Sequence, residues 1–148
     1  MKKTIPTLAL GTMLTFGASA VENKDFNYIV DRFADIEVLR YEVPGFKNLT
    51  TSQKAMIYYL NQAAQTGRDI IWDQNCRYNL PVRTLLENVY TNYKGDRSSK
   101  DFKAFEQYLK QVWFGNGIHH HYSTDKFVPG FSQAFFTEQV NALPADKL

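Results

Sequence analysis

The residues best equipped for chemistry stand in one run, His119-His120-His121-Tyr122, which holds all three histidines of the chain. Imidazole is the commonest metal ligand and changes charge near neutral pH, so the run reads either as a metal site or as hydrogen-bonding, ligand-facing side chains. In an extended segment alternate side chains share a face, which pairs His119 with His121 and turns His120 away. Two ligands are not a site. A catalytic zinc takes three protein ligands and keeps one position open, and nothing in the spacing nominates an Asp or Glu as the third. The His-Glu-x-x-His helix signature is also missing. No metal is therefore expected on this chain, and the histidines are read as facing a ligand or bonding locally.

Other reaction centres find little support. Cys76 is the single cysteine, which excludes an intramolecular disulfide and a cysteine-rich zinc site together. Arg77 beside it could favour a thiolate, but a lone cysteine reads more simply as packing. There is no glycine-rich phosphate loop and no Gly-x-Ser-x-Gly elbow. Asp31 and Asp35 form a carboxylate pair at helix-like spacing, which a solvated helix face explains equally well. Asn48-Leu-Thr50 matches a glycosylation acceptor, yet Thr50 is also placed to cap a helix.

The elements that must hold the histidine run are mainly α-helical. Thr50 opens a helix with Gln53 as the partner of a capping box, and Met56, Tyr59, Leu60, Ala63 and Ala64 fall on one face. Gly67 is placed to end it. Pro81 suits the first residue of a helix whose stripe is Val82, Leu85, Leu86, Val89, Tyr90 and Tyr93. After the Lys94-Gly95-Asp96 stop, Ser98 and Asp101 frame a third helix with Phe102, Phe105, Leu109, Val112 and Trp113 on its apolar side. A last helix starts at Ser132 and runs through Phe135, Phe136 and Val140 towards Pro144. The exception is Phe33 to Val43, where β-branched residues and the Pro44-Gly45 stop predict a strand or extended segment.

One connection is unusually long. Gly115-Asn116-Gly117 ends the third helix, its glycines offering the positive φ of a helix stop. Ile118 to Gly130 then shows no helical period and exceeds the usual helix–helix link of about two to eight residues, and links of this length are functional or disordered. Ten of the 35 residues from Phe102 to Phe136 are aromatic, enough to pin the loop to the surface beneath it. An ordered loop carrying the histidines is the best candidate site in the chain.

Length and charge bound the rest. A chain of 148 residues fits one domain, and 17 basic against 15 acidic residues leave no excess of the kind that phosphate recognition needs, so no nucleic acid is expected as a partner. Residues 1–20 read as a signal peptide: Lys2 and Lys3, an apolar stretch from Ile5 to Phe16, and the small-residue site Ala18-Ser19-Ala20. As a helix that stretch would span about 18 Å against a hydrocarbon core of about 30 Å, so it would not anchor the chain. Cleavage after Ala20 predicts a periplasmic or secreted protein with no membrane span, its region 21–148 forming a single helical unit.

Three segments carry a resemblance: Phe33-Ala-Asp-Ile-Glu-Val-Leu-Arg-Tyr41, Tyr90-Thr-Asn-Tyr-Lys-Gly-Asp96, and Val112-Trp-Phe-Gly-Asn-Gly-Ile-His-His-His-Tyr122 with Asp125-Lys-Phe-Val-Pro129 after it. Together they resemble the N-terminal part of the dipeptidyl peptidase III family in its bacterial branch, over about Phe26 to Val140. The resemblance implies a zinc exopeptidase that releases dipeptides from the N-terminus of short peptides, built as two lobes around a wide cleft. It further implies that the zinc sits on a His-Glu-x-x-x-His motif which this sequence does not contain. The chain would then be the helical N-terminal portion of the substrate-binding lobe, with the zinc-bearing C-terminal part as its partner. By the same resemblance Tyr122 lines the substrate cleft, Asn116 matches an asparagine of the preceding turn, and the triple histidine is not a metal site. Two other readings stand beside this one: a non-catalytic exported module that binds peptides or proteins, and a metal-sequestering protein working through His119 to His121.

Overall fold

The computed structural model describes residues 26–147, and the signal-peptide reading of residues 1–20 lies outside them. The described chain is mainly α-helical with one small two-stranded antiparallel sheet, the expected class. Strands β1 (Ile29–Phe33) and β2 (Ile36–Leu39) form a hairpin in which Phe33 pairs with Ile36 and Arg32 with Glu37. The expected extended segment, Phe33 to Val43, is thus half right. It contains β2 but holds only the last residue of β1. The turn between them escaped notice because Ala34, rather than Gly or Asn, takes the positive φ of 48°. A register shift between Ile29 and Asp31 marks a bulge at Val30, and Ile29, Asp31 and Phe33 share the more buried face of β1.

Gly45, at φ 84°, makes the turn that the Pro44-Gly45 pair predicted, and a short 3-10 segment, Phe46–Asn48, leads into helix α1 (Thr51–Thr66). The capping box is present: Thr50 Oγ1 accepts from Gln53 N at 3.3 Å, and Gln53 Oε1 accepts from Thr50 N at 2.9 Å. The stripe on this helix is not buried. Tyr59 is 69 % exposed and Leu60 61 %, and α1 has no buried residue. Its apolar run from Ala55 to Leu60 is continuous and so goes right round the helix, which packs against α2 (Arg68–Asn75).

Helix α2 contributes the fully buried Trp72. Helix α3 (Asn79–Asn92) begins two residues before Pro81 and buries Leu86 and Val89 from its expected stripe. Helix α4 (Lys100–Gly115) is capped by Ser99, whose Oγ accepts from Phe102 N at 3.3 Å; the expected Ser98 instead bonds back to Asp96. Phe102, Phe105, Leu109 and Val112 of α4 are all buried, as their spacing predicts. Helix α5 (Gln133–Asn141) starts at the expected cap, Ser132. The core is α4 laid against α3, Trp72 and Leu143, with Tyr93 stacked on Phe102 at 4.4 Å and Phe131, Phe135 and Phe136 closing over Phe105. The hairpin docks on the far end of α4 through Asp31–Lys110 (2.7 Å) and the edge-on pair Phe33–Phe114. No helix among the described residues is long and apolar enough to cross a membrane.

Candidate ligand-binding site

The site begins where α4 stops. Asn116 and Gly117 both donate their N–H to the Val112 carbonyl, and the left-handed residue is Asn116, at φ 50°, rather than either flanking glycine. Asparagine tolerates this conformation because its short side chain costs little there. Gly117 is required for a different reason. At φ 154° it passes so close to Asn79 that a Cβ would sit 2.6 Å from Asn79 Cγ.

Asn79, fully buried at the start of α3, ties the turn down. Its Nδ2 donates to the carbonyls of Trp72 (3.1 Å) and Asn116 (3.4 Å), and its Oδ1 accepts from Ile118 N at 3.2 Å. One amide therefore joins α2, α3 and the end of α4. Sequence reading gave no sign of it, since an asparagine near a helix start looks like any cap.

Beyond Ile118 the chain doubles back as an irregular hairpin. His120 N donates to Asp125 O at 2.8 Å, Phe127 N donates to Ile118 O at 2.9 Å, and His119 stands opposite Lys126. The tip is a turn in which Ser123 N donates to His120 O and Asp125 N to Ser123 Oγ. Phe127 folds under this hairpin against Gly115, where an added Cβ would meet the ring at 3.0 Å. The aromatic content does pin the loop, as expected.

The histidines do not alternate. His120 and His121 stack at 4.4 Å, His121 meets the edge of Phe114 at 4.9 Å, and all three imidazoles line the same cavity. The alternation expected of an extended segment fails because the turn begins at His121 and rotates its side chain back over His120. His120 Nδ1 accepts from Tyr122 N at 3.2 Å, which leaves the proton of the neutral ring on Nε2. That nitrogen lies 3.9 Å from Asp35 Oδ2, on the turn of the β-hairpin.

The cavity, about 490 Å3 and open to solvent on one side, is lined by Asn75, Asn79, Asn116, the histidines, Ser123 and Thr124. Asn116 lines it. Tyr122 does not: its ring lies on His121 at 4.1 Å, with the residue 88 % exposed at the loop tip. Asp31 and Asp35 do not share a helix face, because both sit on the hairpin; Asp31 bonds Lys110 and Asp35 faces His120. The Lys110 ammonium holds the Asp31 carboxyl below its ordinary value, helped by the N–H of Arg32, and Asp31 in turn raises Lys110. Cys76 is half-buried, and the Arg77 guanidinium next to it lies over the Tyr78 ring. Among the described residues, no three His, Cys, Asp or Glu side chains gather as metal ligands. No protein-family model matches the chain, and no curated protein matches it either.

Proposed function

We propose that this chain is the peptide-contacting, N-terminal portion of a zinc-dependent dipeptidyl peptidase of the dipeptidyl peptidase III kind, exported to the periplasm or secreted. The observation that carries the reading is the loop from Asn116 to Phe127. The segment richest in the resemblance is held by backbone bonds and by Asn79, and it places an exposed Tyr122 beside a polar cavity. Such a rigid, aromatic-tipped loop suits the wall of a peptide cleft. In this reading the zinc is held by the His-Glu-x-x-x-His segment of a complete peptidase, since among the described residues no three His, Cys, Asp or Glu side chains gather as metal ligands. Short peptides and that zinc-bearing part are the partners of this reading.

The test uses a protein that joins this chain to such a segment. Tyr122→Ala removes an aromatic wall worth about 1–3 kcal/mol to a bound peptide, so kcat/KM falls roughly tenfold or more while zinc content stays constant. The double variant His119→Ala, His121→Ala retains its zinc. Loss of zinc from the histidine variant, or an unchanged kcat/KM for Tyr122→Ala across several peptides, overturns the assignment of this loop to the substrate side. The bare apolar surface of α1 favours a second reading, a non-catalytic exported module that binds peptides or proteins. Binding of peptides without any hydrolysis in the joined protein would select it.

A further inference from the structure

We propose that the cavity at the base of the histidine loop is a binding site for primary ammonium groups, a specificity that stands independently of the peptidase reading. Two helices end on this cavity. Asn75 is the last residue of α2 and Gly115 the last of α4, and both line it. Helix carbonyls point towards the C-terminal end, which carries the negative end of the helix dipole. Among the described residues no backbone N–H reaches the carbonyls of Phe114 and Gly115, because those of Asn116 and Gly117 both go to Val112 and that of Ile118 goes to Asn79, and at the end of α2 the Asn79 N–H goes to Cys76 rather than to Asn75. A cation is the partner such carbonyls favour, and an ammonium supplies three donors for them.

The rest of the lining agrees in sign. It holds no Lys or Arg, and its side chains are asparagines, hydroxyls and imidazoles, all able to accept a hydrogen bond when neutral. The nearest carboxylate partner of the histidines is Asp35, at 3.9 Å from His120. An anion would meet carbonyl oxygens and no fixed positive charge. Among the described residues no three His, Cys, Asp or Glu side chains gather in a metal-binding arrangement. A volume of about 490 Å3 admits an ammonium together with several carbons of its stem.

The charged and aromatic groups nearest the histidines are Asp35 from the β-hairpin, 3.9 Å from His120, Lys126 opposite His119, and the ring of Tyr122 on His121.

The chain holds only three histidines, so the imidazole resonances of the full chain report this site alone. Titration with n-butylammonium at about pH 7.5 should give saturable imidazole shifts, and n-butanol and butyrate should give none. Asp35→Asn, an exposed turn substitution, should weaken binding about threefold with the helical circular dichroism unchanged. Two competitors then locate the natural source: a lysine-free tetrapeptide with a free N-terminus, and an N-acetylated tetrapeptide containing one lysine. Displacement of butylammonium by the first assigns the site to peptide N-termini, and by the second to lysine side chains. Equal shifts from butanol or butyrate overturn the proposal. Butylammonium binding that neither peptide displaces keeps the cation site and counts against the peptide reading instead.

Discussion

Asn79 divides one buried amide among three backbone groups, and Gly117 leaves the space that lets it do so. Removing such an amide strands the Ile118 N–H and frees the α4 stop. Asn79→Ala should therefore cost about 1–3 kcal/mol in urea unfolding and broaden or shift all three imidazole resonances. Gly117→Ala should cost at least as much, since the added methyl meets Asn79 and the backbone sits at φ 154°. An Asn79→Ala protein with unchanged stability and unchanged histidine signals would show that the loop holds itself. Neither residue announces its role in the sequence. The candidate loop was legible from its length, its aromatics and its histidines, which are local features. The clamp was not, because Asn79 meets Asn116 and Ile118 from 37 and 39 residues away.

Elements follow the same division between local and distant causes. The caps at Thr50 and Ser132 were readable because a cap is decided within three residues. The stripes of α3 and α4 were readable because each is covered by its neighbour in sequence. The α1 stripe has the same periodicity but no cover, since spacing states which side chains can be buried together and not what buries them. A direct contrast follows. Leu109→Ala in α4 should cost about 2–5 kcal/mol, while Leu60→Gln in α1 should change stability by less than about 0.5 kcal/mol and reduce self-association in sedimentation velocity. The hairpin offers a pH test. Because Asp31 is held below its ordinary carboxyl value of 3.8 by Lys110, its contribution is present above that value and is lost as pH falls through the lowered one. Hairpin amides should thus lose exchange protection in acid before those of α4, and Lys110→Met should abolish that pH step.

At the scale of the whole molecule, a well-packed body around α4 coexists with apolar surface left open on α1, α2, the hairpin residues Val30 and Leu39, and the segment after the hairpin, where Tyr41 and Val43 stand exposed. Uncovered apolar surface costs about 25 cal/mol per Å2, so a few hundred Å2 of it rivals the net stability of a domain. The isolated chain should therefore be marginally stable and prone to associate. A sharp two-state melt from a monodisperse monomer would count strongly against that argument. Chemistry depends on the same distinction between what is present and what must be supplied. Dipeptide release by a zinc peptidase needs a metal-activated water, and such a metal needs three protein ligands with a fourth position open. The described histidines line one cavity, yet among the described residues no three His, Cys, Asp or Glu side chains gather in a metal-binding arrangement. The chain by itself should consequently show no hydrolysis of dipeptidyl-naphthylamides, and adding zinc should not create any. The measurement is a fluorescence assay on the purified chain, with zinc content determined in parallel. Hydrolysis that appears with stoichiometric zinc and disappears in the His119→Ala, His121→Ala variant would place the reaction centre in this loop, and the division of labour between this chain and a separate zinc segment would fall with it.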